Sequence, residues 1–178
     1  MMYLALLRGI NVGGKNKVEM SRLKTVFESI GATEVRTYIN SGNVIFVHDG
    51  TPTRLSAAIE KAIGAEFGFE VRIVLRTVDE VMSLTKAIPA AWKEDTSMRC
   101  NVMFLWDDVD DPSVLDHLTI KDGIDDVKYV PGTIVWRVAR DVVTRSGMMR
   151  LVSDDLYKRM TIRNVNTVRK LADLMGDT

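Results

Sequence analysis

The sequence predicts an α+β protein of two ferredoxin-like (α/β plait) halves with antiparallel sheets, plus a C-terminal helix. Three observations carry this expectation. Strand-like and helix-like runs follow one another as βαββαβ over residues 1–76. The first and third strand runs, 2–8 and 44–47, are the most apolar, and a plait places those two in the middle of its sheet. From residue 77 a second series reads β-α-β-β-α after a leading helix, so the halves are expected at 1–76 and 77–178.

Residues 2–8 are apolar on both faces, as a central strand requires. Met20, Leu23, Val26, Phe27 and Ile30 then recur at helical spacing, and Gly31 supplies the stop. Residues 35–39 and 44–47 are β-rich runs about "NSGN", the pattern of a hairpin. Thr51-Pro52 forms an N-cap and first-turn pair for a stripe of Leu55, Ala58, Ile59, Ala62 and Ile63, closed by Gly64 to Gly68. Val71, Ile73 and Leu75 alternate with Arg72 and Arg76, which reads as an amphipathic strand.

The second half begins with a Thr77/Glu80 capping box, and Pro89 ends the helix it starts. "PAAWKEDTSMRC" reads as a loop and residues 101–106 as a strand. Asp111-Pro112 starts a short helix, and residues 127–130 and 133–139 make a hairpin about Pro131-Gly132. Ser146 is expected to cap a helix with Met148, Leu151, Val152, Leu156 and Met160 on one face. A final helix follows near 164–175. No fourth strand is recognised in this half.

Composition limits the function. With 46% hydrophobic and 27% charged residues the chain can build a core. No apolar run approaches the roughly 20 residues that span a bilayer, which argues against a membrane protein. The start lacks a basic n-region and a cleavage site, so a cytoplasmic location is expected. Cys100 is the only cysteine, which excludes an intramolecular disulfide and fits a reducing compartment. Net charge is zero but unevenly placed. Residues 8–24 hold five basic residues against Glu19, and 107–126 hold eight aspartates against Lys121. Residues 145–170 hold seven basic residues against Asp154 and Asp155. Local basic segments in a neutral chain suit a small anion and argue against a nucleic-acid partner.

Three stretches carry candidate chemistry. In "RGINVGGKNK" (8–17), Gly9 to Lys15 fits the G-x-x-x-x-G-K part of a P-loop, but Asn16 stands where a magnesium-binding Ser or Thr belongs. It is not a Walker site. Gly13-Gly14 can still turn backbone N–H groups toward an anion, with Lys15, Lys17 or Arg8 adding charge and Asn11 and Asn16 beside them. The bland reading is a solvated loop whose glycines only permit the turn. In "NSGN", Asn40, Ser41 and Asn43 could offer polar groups at the sheet's end, or simply form a hairpin turn. The run "SGNVIFVH" lacks the aromatic residues with which an RRM strand stacks on bases. In "TIRNVNTVRKL", Arg163, Asn164, Asn166 and Thr167 gather where the last helix starts, either as caps or as an anion-binding helix N-terminus.

Other chemistry finds little support. "DDVDDP" lacks the spacing and glycine of a calcium loop, and His48 and His117 stand in no zinc motif, so no metal site is expected. G-x-S-x-G and G-x-G-x-x-G are absent, Cys100 has no adjacent basic motif, and no cofactor is called for. The ten methionines lie mostly on apolar helical faces as core filler.

"LLRGINVGGKNKVEM", "VRTYINSGNVIF" and "TIRNVNTVRKL" resemble the signature stretches of the bacterial family called domain of unknown function 1697. The resemblance runs nearly end to end and implies two α/β plait halves and no activity. It carries motif residues onto Arg8, Asn11, Gly13, Gly14, Lys15 and Asn16, onto Asn40, Ser41, Gly42 and Asn43, and onto Arg163, Asn164, Asn166 and Thr167. Val165 departs from the aromatic residue common in the family, which leaves no ring there to stack.

The functional expectation is a small phosphate- or carboxylate-bearing ligand, nucleotides included, held where the three stretches converge. The rival is an interaction module whose motifs serve turns and docking. Sequence-tolerant nucleic-acid binding ranks third. No reaction, partner protein or oligomeric state is assigned.

Overall fold

The computed structural model describes residues 1–177. Two compact units divide it: Met1–Glu80 together with the chain end from Leu174, and Val81–Asp173.

In the first unit β1 (Met2–Leu7), α1 (Met20–Ser29), β2 (Thr33–Tyr38), β3 (Asn43–Val47), α2 (Pro52–Phe67) and β4 (Ile73–Thr77) follow in the predicted order. The sheet runs β2-β3-β1-β4, antiparallel throughout, so the two apolar strands are neighbours at its centre. One face packs under the helices: Tyr3, Ala5 and Leu7 of β1 with Val44 and Phe46 of β3 meet Leu23 and Phe27 of α1 and Ile59 and Ile63 of α2. Phe27 meets Phe46 edge-on with centroids 5.0 Å apart. On the opposite face Leu4, Leu6 and Ile45 are also fully buried, which is why the central runs are apolar at every position.

Local chemistry sets the boundaries. Gly31 at φ +91° ends α1, and Ala32 N–H reaches back to Phe27 O at 3.1 Å, the Schellman pattern. Thr51 takes the N-cap of α2 in extended backbone, but its hydroxyl makes no capping bond; Pro52 supplies the first turn. The helix passes through Gly64 and stops at left-handed Gly68. β4 begins at Ile73, so Val71 and Arg72 precede it. Arg76 is 8% exposed, against the solvated position that alternation suggested.

The predicted capping box is present: Thr77 N–H donates to Glu80 Oε2 (2.7 Å) and Glu80 N–H to Thr77 Oγ1 (3.3 Å). It opens α3 (Val78–Ala87).

The second unit holds β5 (Met98–Leu105), β6 (Asp125–Val130), β7 (Thr133–Ala139), β8 (Met160–Asn164) and, as far as Asp173, α4 (Val165–Gly176). Its sheet order is β6-β7-β5-β8, the arrangement of the first sheet repeated. The missing fourth strand is β8. It occupies residues that sequence reasoning had assigned to the end of one helix and the start of another. The helix expected from Ser146 is instead a run of 3₁₀ turns, Gly147–Ser153 and Asp155–Arg159. Ser146 does cap, accepting from Met148 N–H at 3.1 Å, and Asp154 caps again from Leu156 N–H at 2.8 Å. Such local side-chain bonds restart the turn and keep an α-helix from propagating. Val152, placed on the apolar face by periodicity, is exposed, whereas Met148, Leu151 and Leu156 are buried. The Asp111-Pro112 helix is likewise a 3₁₀ turn, Pro112–His117, and β5 begins three residues before the expected 101.

One carboxylate organises this unit. Asp125 Oδ1 accepts from Trp136 Nε1 (3.0 Å) and Ser146 Oγ, and its Oδ2 from the N–H groups of Lys121 (3.0 Å) and Gly147 (2.8 Å). Burial raises its pKa, but these four donors outweigh burial and leave it below the ordinary carboxylate value.

Candidate functional site

The first two motifs meet. The glycine-rich loop after β1 folds back on itself, with Gly13 at φ +58° and Gly14 at φ +75° closing a two-residue turn. Lys15 N–H donates to Val12 O (3.0 Å), and Asn11 N–H to Asn16 O (3.1 Å). Two consecutive left-handed residues make a hairpin tip here, so the Lys15 amide is engaged inside the loop. Asn16 Nδ2 closes the base on Gly9 O at 3.2 Å.

Asn11 joins this loop to the "NSGN" turn. Its Nδ2 donates to Val18 O (3.0 Å) and Asn40 O (2.8 Å), and its Oδ1 accepts from Val18 N–H (2.9 Å). From the other side Leu7 N–H donates to Gly42 O at 2.8 Å. A Cβ on Gly42 would sit 2.7 Å from Ile10 Cδ1 and 2.8 Å from Leu7 Cβ, so only glycine lets the two segments approach. Asn43 is fully buried and donates Nδ2 to Tyr38 O (2.8 Å) and Ser41 Oγ (3.0 Å). The side chains of Asn11 and Asn43 therefore brace the loops.

Between the joined loops and the start of α1 lies an open cleft of about 600 Å³, bordered by Asn11, Gly14, Lys17, Glu19, Ser21 and Asn40. Glu19 holds the N-cap position of α1, which has no side-chain capping bond. Among the described residues the first N–H groups of this helix thus receive no side-chain cap. Arg22 is paired with Glu66 at 2.7 Å and Lys24 with Glu28 at 3.9 Å. Lys15 and Lys17 are exposed and make no ion pair among the described residues. Arg8 is half-buried, and its N–H donates to Arg72 O at 3.0 Å.

The third motif belongs to the other unit and does different work. Arg163 stands on β8, 7% exposed, and its Nη1 donates to Thr161 Oγ1 and Ile162 O, both at 2.9 Å. Burial lowers its pKa to about 10, leaving it charged at neutral pH. Asn164 Oδ1 accepts from Thr167 N–H at 2.9 Å and so caps α4. Asn166 Nδ2 donates to Glu94 O at 2.8 Å, and Arg169 Nη1 to Trp92 O at 2.7 Å, fastening the loop that precedes β5.

A second cavity, of about 440 Å³, is lined by Asp108, Asp111, Asp154, Asp155, His117 and Arg159. Three of its four carboxylates have internal work: Asp108 pairs with Arg159, and Asp111 and Asp154 cap 3₁₀ turns. Among the described residues no group of three or more His, Cys, Asp or Glu could hold a metal ion. Cys100 is buried, and burial pushes its thiol up to about 11, which keeps it protonated and poorly nucleophilic.

Sequence reasoning missed Arg76 and the Asp125 cluster. Alternation in β4 resembled a one-sided strand, and nothing local marks Asp125 out among its seven neighbouring aspartates in 107–126. Lys17 was visible as a basic loop residue, but its place on the cleft depends on the Asn11–Asn40 contact.

Fold and site together define a duplicated α+β plait protein with a loop-bordered cleft in its first unit. The chain belongs to the family described as "Protein of unknown function (DUF1697)", whose model matches residues 1–136. The third motif lies beyond that match. Among solved structures it is similar to that of the conserved bacterial protein SP0830 from Streptococcus pneumoniae, at 27% identity and a TM-score of 0.83, over 97% of each chain. The comparison with curated proteins found no match. Among the described residues no helix is long and apolar enough to cross a membrane.

Proposed function

We propose that the protein binds a small anion, phosphate- or carboxylate-bearing, in the cleft between the glycine-rich loop, the "NSGN" turn and the start of α1. One observation carries the reading: the cleft brings Lys17 and the uncapped first turn of α1 to the same opening. An ammonium group that makes no ion pair among the described residues and the positive end of a helix both favour negative charge. Asn11 and Gly42 support the reading by holding the two loops in register. Lys15, exposed on the turn next to Gly14, adds to the local positive potential. The reading rests on the first unit alone and assigns no turnover.

A thermal-shift series with phosphate, pyrophosphate, sulfate and small dicarboxylates tests it. A ligand at about 100 times its Kd adds ~2.7 kcal/mol, which raises Tm by roughly 5–10 °C at this size. Lys17→Ala is expected to remove the shift while leaving the unliganded Tm within about 2 °C, because exposed charges contribute little to stability. A flat response to every anion would turn the reading toward an interaction module.

A further inference from the structure

We infer that β6 is a docking edge for a second copy of this chain, pairing antiparallel with its counterpart about a two-fold axis at Val127. β6 ends its sheet, with β7 as its one strand neighbour. The register fixes which backbone groups that neighbour uses. Leu105 N–H donates to Gly132 O, so alternate residues of β7 counted from Gly132 bond β5. The others, Thr133, Val135 and Arg137, bond Val130, Lys128 and Asp126 of β6. Asp125, Val127 and Tyr129 therefore turn their backbone groups away from the sheet. Lys121 O already takes the Asp125 N–H at 2.9 Å. Among the described residues the N–H groups of Val127 and Tyr129 have no partner.

The other edges are less open. β2 is broken by a bulge between Thr33 and Arg36, with Glu34 at φ +51°. The first amide of β4, Ile73 N–H, donates to Glu60 Oε1 at 3.0 Å. β8 is five residues long and runs directly into α4.

Charge selects the occupant. Asp126 and Lys128 flank Val127 on one face of the strand; both are exposed, the Asp126 side chain by 52%. A copy centred on Val127 sets Asp126 opposite the partner's Lys128, twice by symmetry. Outward residues then meet outward residues: Val127 bonds its own counterpart reciprocally, and Tyr129 N–H meets the partner's Asp125 O. Moving the axis one residue either way sets Lys128 against Lys128 or Asp126 against Asp126, which like charge opposes. In the single chain Lys128 Nζ rests on Ala87 O at 2.9 Å and Asp126 on Arg137, both exposed contacts that cost little to rearrange.

Sedimentation velocity of the intact chain over a concentration series tests the pairing. The parent chain is expected to show a dimer whose fraction rises with concentration. Asp126→Lys and Lys128→Asp should each weaken it roughly tenfold or more, because each turns two attractive pairs into repulsive ones. Mixed in equal amounts, the two variants should associate again, since every charge then faces its opposite; misfolded variants would not recover. Hydrogen exchange should slow at Val127 and Tyr129 as concentration rises. Monomer at every concentration overturns the inference and leaves the edge to an extended segment of a different protein. A dimer that both variants keep, or a mixture that stays monomeric, overturns it as well.

Discussion

Arg76 and Arg163 occupy the same place in the two sheets. Arg76 pairs with Leu4 on β1, and Arg163 with Val102 on β5. Across each central strand the next partner is apolar, Ile45 in one sheet and Val135 in the other. Both arginines are buried, and both donate Nη1 to the carbonyl of the preceding residue, Leu75 or Ile162, at 2.9 Å. Both sit on the face opposite the main apolar cluster of their own unit. Two halves with little visible sequence repetition thus place a guanidinium at one shared register.

That equivalence predicts matched costs. Arg76→Ala and Arg163→Ala should each destabilise by about 2–4 kcal/mol, since each strips a long stem and leaves buried acceptors without their donor. Arg72→Ala, which removes an exposed pair with Glu60, should cost less than about 1 kcal/mol. Urea midpoints of the three variants measure this. A near-neutral Arg163→Ala would mean that its place in the sheet carries no stability.

The glycines give a graded series. A Cβ on Gly147 would lie 1.8 Å from Thr119 O, a backbone atom that cannot swing away. Gly147→Ala should therefore cost more than about 3 kcal/mol. Gly42→Ala combines φ +86° with a 2.7 Å contact to Ile10 Cδ1, a side-chain end that can yield, and a 2.8 Å contact to Leu7 Cβ, which moves only with its backbone. It should fall below Gly147→Ala. Gly13→Ala meets nothing within 4 Å and costs only its left-handed backbone, about 1–2 kcal/mol. Guanidinium unfolding should return that order, and an inverted one would contradict the close approaches.

The first unit was legible because its local signals agree with its topology. Residues 44–47 are apolar at every position and prove to be central; Gly31 and Gly68 end their helices where expected. The second unit hid β8 because "MTIRN" is short and adjoins Leu156 and Val168, which extend a helical spacing on either side. Its pairing with β5, Thr161 opposite Phe104 and Arg163 opposite Val102, is a tertiary choice that no local pattern encodes. At the candidate site, the glycines and asparagines of the first two motifs were visible, but their division of labour was not. Asn11 and Asn43 look like ligand residues in sequence because an amide side chain serves a ligand and a backbone carbonyl equally well. Only the positions of Asn40 O and Tyr38 O show which these two serve.

Asp125 predicts an acid limit. Burial raises its pKa, while Ser146, the Lys121 amide, Trp136 and the Gly147 amide together hold it below 3.8. A carboxylate with a depressed folded-state pKa contributes stability above its unfolded value, and that contribution is lost as pH falls through the folded one. Asp125→Asn should therefore destabilise at pH 7 by about 1–3 kcal/mol, and the gap to the parent chain should narrow below pH 3.8. Denaturation at a series of pH values measures the gap. A constant gap down to pH 2 would exclude Asp125 as the titrating group.

Asn11 links stability to the site. Its side chain makes three bonds at 2.8–3.0 Å, two to Val18 and one to Asn40, so it fixes both the return of its own loop and the distance to the neighbouring turn. Asn11→Ala removes all three and leaves φ +53°, a left-handed conformation that alanine adopts poorly. The expected cost is about 2–4 kcal/mol, with the opening localised to the segments around 9–18 and 39–42. Asn11→Gly keeps the backbone freedom and loses only the bonds, so it should cost about 1 kcal/mol less than Asn11→Ala. Hydrogen exchange read by mass spectrometry would show both segments losing protection together, because one side chain ties them. Loss confined to the 9–18 segment would mean that the Asn40 turn is held by Leu7 and Gly42 alone, and the cleft would then have one fixed wall and one that Asn11 does not set.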